Sequence, residues 1–275
     1  MILLVSSNKD IASQTIKQQI LKHYIFHETK ATYQQNTVYT ADVNEKKVTM
    51  ITLNEDCVRA QDLPEKFPEA ELIVFISRHS SQSAKPTLTV HSPGNFGAAE
   101  LGGLPKNVSV SPAVAMQTAL RALLHYKQQQ LLLNYEVSYE CTHHGPSLNV
   151  PTMFVELGSS PMQWSDSVAA EAVAHSAMTA IANFETPASS AFLGIGGTHY
   201  NQQFTLMALV GAATFGHMIP KYAVSLIDAE LIKQCVEKTL EKVPLALLDW
   251  KGIKSEDKPG LLAALESAGL PYNKV

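Results

Sequence analysis

Apolar residues crowd without alternation in Ile2-Leu3-Leu4-Val5 and in Leu72-Ile73-Val74-Phe75-Ile76, the pattern of strands buried on both faces. Between them, Asp10 to His23 has helical spacing, and Ala31 to Leu53 reads as strands around a turn near Asn44-Glu45. Thr87 to His91 and Tyr135 to Tyr139 read as extended, with a helix from Ala113 to Lys127 between them after Ser111-Pro112. Pro151 to Leu157 predicts another strand. Ser165 to Ala182 predicts a helix with Val168, Ala172, Val173, Ala177 and Ile181 along one side, and Ser165 or Asp166 can cap its start. Ala191 to Ile195 then reads as a short strand, Glu230 to Leu240 as a helix, Leu245 to Trp250 as a strand, and Pro259 to Ala268 as a last helix closed by Gly269. This alternation predicts α/β layers in a single domain spanning residues 1–275. Asn201 to Gln203 and the region of Ile219-Pro220 are the most linker-like stretches, yet too poor in Gly, Ser and Pro to mark a boundary.

The composition, 45% hydrophobic and 17% charged, is that of an ordinary globular protein large enough to bury a core without disulfides. Cys57, Cys141 and Cys235 are odd in number and far apart, with no Cys-x-x-Cys pair; a reducing cytoplasm suits them. The N-terminal segment lacks a basic region and has too few apolar residues for a signal peptide or a membrane span, so it is expected to be the first strand and no membrane partner is expected. A net charge of −4 argues against general nucleic-acid binding, though not against a local basic patch. The distribution of charge says more. From Gln128 to Pro220 there is no Lys or Arg, while the stretch holds six acids (Glu136, Glu140, Glu156, Asp166, Glu171, Glu185) and five His. Such a block suits a cation; a mostly buried stretch that avoids long basic side chains is the plain alternative.

Several of these groups stand at predicted strand ends, where ligand sites form in open α/β sheets. Arg78-His79 leaves one strand, Cys141-Thr142-His143-His144-Gly145 another, Glu156-Leu157-Gly158 a third, and Gly196-Gly197-Thr198-His199 a fourth, so four loops are expected to meet on one edge. Zinc takes neutral imidazole and carboxylate ligands and, in catalytic sites, keeps a position open for water. His79, His143 or His144, Glu156, His199 and His217 suffice for one or two ions. The adjacent His143 and His144 are expected to point oppositely if extended, one ligating while the other meets substrate. His23, His27, His125 and His175 lie in or beside helical patterns and read as packing residues. The turn from His91 through Asn95 to Gly97 has glycines that let backbone approach a ligand. Gly194-Ile195-Gly196-Gly197 lacks nucleotide-loop spacing, and no Gly-x-Ser-x-Gly elbow is present.

Taken together, Ser77-Arg78-His79-Ser80-Ser81, Leu88-Thr89-Val90-His91-Ser92-Pro93-Gly94-Asn95, Ser138-Tyr139-Glu140-Cys141-Thr142-His143-His144-Gly145-Pro146, Phe154-Val155-Glu156-Leu157-Gly158-Ser159, Gly196-Gly197-Thr198-His199-Tyr200, Phe215-Gly216-His217-Met218-Ile219-Pro220-Lys221-Tyr222 and Asp249-Trp250-Lys251-Gly252 resemble the D-aminoacyl-tRNA (D-tyrosyl-tRNA) deacylases of the archaeal and plant type, over nearly the whole chain. The resemblance implies a three-layer α/β/α fold with a mixed central sheet, related to the phosphorylase and peptidyl-tRNA hydrolase group. It also implies bound zinc, and cleavage of the ester joining a D-amino acid to the acceptor end of tRNA. Asn201-Gln202-Gln203 departs from the family pattern, in which a proline and often a basic residue follow the matching tyrosine, and so lacks the side chain a tRNA contact there would use.

Within that chemistry the residues themselves suggest roles. His79, His143 and His199 are assigned to metal, Glu156 to ligand or general base, and His144 and His217 to orienting the ester or the leaving oxygen. Arg78 and Lys221 would meet terminal phosphates, and His91 and Asn95 would contact substrate. The working unit is expected to be a monomer. A zinc aminoacylase or carboxypeptidase-like amidohydrolase would use the same groups, and a noncatalytic RNA-binding protein with structural zinc would fill every metal position with protein.

Overall fold

In the computed structural model, which describes residues 1–185 and 190–275, the apolar run at the start of the chain becomes β1 (Ile2–Ser7), buried throughout. Asp10 then caps α1 (Ile11–His23) by accepting a hydrogen bond from the Ser13 amide. A meander of β2 (His27–Tyr33), β3 (Asn36–Val43) and β4 (Lys46–Leu53) turns at Gln34-Gln35 and at Asn44-Glu45, all four with positive φ. After the short α2 (Leu63–Lys66) come β5 (Leu72–Arg78), β6 (Thr87–His91), a two-residue ribbon of β7 (Gly94–Asn95) and β8 (Asn107–Val108), α3 (Ala113–Gln129), β9 (Glu136–Tyr139) and β10 (Thr152–Gly158). The short α4 (Pro161–Trp164) precedes α5 (Ser167–Ala182), whose cap is Asp166. The predicted Ser165–Ala182 helix is thus α5, starting two residues later behind its Asp166 cap.

These strands form one eight-stranded sheet in the order β2-β3-β4-β1-β5-β10-β6-β9. β4, β1, β5 and β10 run parallel, whereas β6 and β9 run parallel to each other and against β10. Leu4, Met50, Val74, Ile76, Val90 and Val155 project from one face into a core shared with Ile16 of α1, Leu120 of α3 and Val173 of α5. The alternate residues Leu3, Val5, Ile51, Ile73, Phe75 and Phe154 project from the other face, where Cys57, Leu63 and Leu148 cover them. The period of two along each strand produces these two faces. The mixed central sheet flanked by helices is the expected architecture.

A second sheet was not legible in the pattern. β11 (Phe192–Gly196), α6 (Gln202–Leu209), β12 (Phe215–Ile219), α7 (Ala229–Glu237), β13 (Ala246–Asp249), α8 (Lys258–Ala268) and β14 (Tyr272–Lys274) build a four-stranded parallel sheet in the order β12-β11-β13-β14. The stretch Asn201–Gln203, read as linker-like, is instead a helix start, because the Asn201 side chain accepts from the Phe204 amide at 2.9 Å. Gly269, at φ 68°, closes α8 as expected. Phe204, Phe215, Met218 and Leu247 enter the same core cluster as α3 and α5, and α7 and α8 pack through Leu231, Ile232, Leu261 and Leu265 into a second core. No helix among the described residues is long and apolar enough to cross a membrane.

Candidate active site

The face of the large sheet opposite α1, α3 and α5 carries the chemistry. Because side chains alternate across a strand, Phe75 and Ser77 of β5, Phe154 and Glu156 of β10, and Thr89 and His91 of β6 share that face, with Glu156 opposite Ser77 and Thr89, and Phe154 opposite His91. The donors therefore do not meet off one edge of parallel strand ends. β6 and β9 run against β5 and β10, so the loops after β5, β9 and β11 meet over the face of the sheet.

Glu140, the residue after β9, is wholly buried and central. One carboxylate oxygen lies 3.0 Å from His79 Nδ1, and the other lies 2.8 Å from His199 Nε2 and 3.5 Å from His143 Nε2. Glu156 Oε1 accepts from Ser77 Oγ at 2.7 Å, while its Oε2 stands 3.6 Å from His79 Nδ1 and 3.7 Å from His91 Nε2. Sequence reasoning passed over Glu140 as a site residue. The available signal was its place three residues before His143 in a stretch without Lys or Arg.

Most of these imidazoles are held from behind through one nitrogen, an outer-shell arrangement typical of metal-ligating histidines. His143 Nδ1 donates to the Cys141 carbonyl at 2.9 Å and His144 Nδ1 to the Gly145 carbonyl at 2.7 Å, leaving each Nε2 with its lone pair toward the cluster. His79 Nε2 bonds the Tyr200 hydroxyl, and His199 Nδ1 lies 3.3 Å from the Tyr222 hydroxyl. His144 sits at φ 41°, a left-handed conformation that replaces the extended one assumed for it. In consequence the His143 and His144 rings lie together, centroids 4.2 Å apart, rather than on opposite sides.

His91 differs. It is fully buried, stacked on Phe154 at 5.0 Å and 6°, and neither of its ring nitrogens has a hydrogen-bond partner among the described residues. At this site ligand-capable atoms lie within 4.8 Å of one another in three groups, His79, Glu140 and His199; His91, Glu140 and Glu156; and His91, His143 and His144, while a fourth, His23, Glu171 and His175, lies elsewhere. Two buried carboxylates beside unpaired imidazole nitrogens fit a divalent cation of zinc type.

The electrostatics agree. Burial disfavours charge on His79, but Glu140 and Glu156 outweigh it and push its pKa up to about 11. Burial likewise opposes ionisation of both carboxylates; even so, His79 and His199 hold Glu140 well below the usual range, and His79 and His91 hold Glu156 at about 2. Burial and the neighbouring His91 lower His144 to about 4, and burial with His144 and His91 lowers His143. The cluster thus combines two anions, neutral imidazoles at His143 and His144, and a proton held on His79.

A cavity of about 460 Å3 opens onto the cluster, lined by Arg59, Arg78, His79, His143, His144, Phe154, Glu156 and His199 among others. Arg78 lines it, with its guanidinium bonded to the Lys9 carbonyl at 3.2 Å and paired with Asp56 at 3.4 Å. His91, expected to meet substrate, instead lies among the ligand-capable groups.

Two assignments, His217 and Lys221, need correction. His217 is fully buried in β12, with Nε2 donating to the Ser109 and Lys238 carbonyls at 3.0 and 3.2 Å and Nδ1 3.1 Å from the Thr142 hydroxyl; its polar atoms are engaged and it tethers structure rather than orienting an ester. Lys221 lies in a separate cleft with Gly197, Gln202, Gln203 and Asp249, outside the main cavity. The Asn95 amide donates to the Gly102 and Leu104 carbonyls at 2.9 and 3.3 Å, tying the neighbouring loop, while the residue also lines a recess of about 220 Å3 beside His143 and His144.

Comparison with known proteins places these features in context. The model of the D-aminoacyl-tRNA deacylase family matches residues 66–273. The chain is 34% identical to the D-aminoacyl-tRNA deacylase of Thermococcus kodakarensis over 98% of both chains, and 33% identical to that of Pyrococcus abyssi over 99% of both. A crystal structure described as a conserved protein of unknown function superposes with a TM-score of 0.87 and 32% identity, covering 100% of this chain and 95% of that one.

Proposed function

The chain belongs to the D-aminoacyl-tRNA deacylase family, and from that premise we propose that it hydrolyses the ester of D-aminoacyl-tRNA with zinc held in the imidazole and carboxylate cluster. The products are the free D-amino acid and tRNA with its terminal ribose hydroxyl restored. The observation that carries this reading is the buried pair Glu140 and Glu156 set among His79, His91, His143, His144 and His199 at the mouth of a cavity. A zinc ion held there would acidify a water and polarise the ester carbonyl.

The chain's own groups divide the remaining work. Glu140 and Glu156 suit ligation, since both are buried and held ionised by imidazoles. His144 lines the cavity, keeps its Nδ1–H on the Gly145 carbonyl and, with its pKa lowered to about 4, stays neutral, which suits orienting the attacking water by accepting its hydrogen bond. Arg78, on the cavity wall, suits a phosphate of the acceptor end. The core shared by both sheets supports a single domain. A tRNA substrate suits a cytoplasmic setting.

Parallel assays with D-aminoacyl-tRNA and with free N-acyl-D-amino acids test the reading. Turnover of the ester and neglect of the amide is expected; the reverse preference would make the chain an amidohydrolase.

A further inference from the structure

His143 and His144 line two cavities, not one. On one side lies the 460 Å3 cavity already described, with Arg59 and Arg78 in its walls. The other is a smaller recess of about 220 Å3, in whose walls stand Phe96, Glu100, Tyr222 and Leu226. His143 and His144 thus stand between the two spaces, so an ester resting on these imidazoles has one space on either side. The two spaces differ in character. The larger one carries Arg59 and Arg78 beside Asp10, Asp56 and Glu156, with Arg78 paired to Asp56 at 3.4 Å; Arg59 is the cationic group it offers a phosphodiester, and its volume suits a nucleotide. The smaller one combines an aromatic and aliphatic wall with a carboxylate and has no Lys or Arg among its lining residues. A phosphate would be repelled there, whereas an apolar side chain would be accepted and an α-ammonium group attracted.

Resting on the reading of the chain as a D-aminoacyl-tRNA deacylase, we propose that the recess between Phe96, Tyr222 and Leu226 is the subsite for the D-amino-acid side chain, the terminal nucleotide lying in the larger cavity. Leu226 is 47% exposed and Tyr222 56% exposed, so the subsite is open to solvent. It therefore accepts side chains of several sizes and gains most from large, apolar ones. Glu100, exposed at the rim, faces the α-ammonium.

Two substitutions fill the recess from different walls: Ala98→Trp, at an exposed position that lines it, and Leu226→Trp. The readout is the ratio of kcat/KM for D-tyrosyl-tRNA to that for D-alanyl-tRNA, measured with wild type and with each folded variant. The proposal expects both variants to lower this ratio by at least about 10-fold, the scale on which a hydrophobic pocket discriminates by size. An equal loss for both substrates would place the nucleotide in the recess and overturn the proposal, as would an unchanged ratio. Should one variant fail to fold, the other decides. Wild-type protein inactive on both D-aminoacyl-tRNAs would overturn the parent reading, and this subsite with it, a result distinct from any change in ratio.

Discussion

His91 Nε2 stands 3.7 Å from Glu156 Oε2, with both side chains buried, too far for a hydrogen bond and close enough to share a cation. A buried polar atom left without a partner costs roughly 1–3 kcal/mol, and His91 leaves both ring nitrogens so. A metal ion that uses one of them offsets part of that cost. His91→Ala is therefore expected to lower bound zinc and to reduce turnover by at least about 10²-fold, the low end of what a positioned catalytic group contributes. The chelated protein should melt no lower than chelated wild type. Metal analysis and melting of one preparation check this; undiminished zinc with a lowered midpoint would make His91 a packing residue.

Glu140 holds His79 protonated in the metal-free cluster, and that role gives a signature separate from activity. In chelated wild-type protein, the His79 ring should keep its proton through neutral pH, since its pKa is pushed up to about 11 against the cost of burial by Glu140 and Glu156. Glu140→Gln removes the nearer charge, so the His79 pKa should fall. Histidine ring NMR titrations of the two chelated proteins measure it, and an unmoved His79 would show that Glu156 alone sets its charge.

How far the sequence foretells this site depends on the kind of contact involved. The strands β1, β5 and β10 are visible as apolar runs because burial on both faces imposes local composition. His79, His143, His144, Glu156 and His199 are visible as polar groups beside those strands. Glu140 is not, since its importance comes from His79 and His199 reaching it from other loops. Tyr200 and Tyr222, which hold His79 and His199 from behind, are hidden for the same reason. His217 misleads in the opposite direction. Gly216-His217 looks like a ligand loop, yet carbonyls of Ser109 and Lys238, distant in sequence, turn it into a core tether. The second sheet is hidden because Gly and His interrupt the apolar run of β12, and because a helix capped by Asn201 begins in polar residues.

His217 should make stability depend on acid. Burial lowers its pKa from 6.5 to about 4 in the folded state, so between those values the unfolded chain binds more protons. The contribution is complete above about pH 6.5, and it is lost as pH falls toward 4. One pKa unit corresponds to about 1.4 kcal/mol, so the full loss is on the order of 3 kcal/mol. His217→Asn should be less stable than wild type at pH 7, having lost its carbonyl tethers, and should lose less stability between pH 7 and pH 5. Urea unfolding of both proteins at the two pH values checks this, and parallel losses would remove His217 from the acid response.

Hydrolysis of D-tyrosyl-tRNA and L-tyrosyl-tRNA by one preparation, assayed as purified, after complete chelation, and during stepwise return of zinc, tests the central claim most directly. The account predicts release of D-tyrosine much faster than L-tyrosine, loss of that activity on chelation, and recovery in proportion to zinc bound until the cluster is filled. Undiminished turnover by protein shown to be free of metal, or equal rates for the two enantiomers, would contradict it.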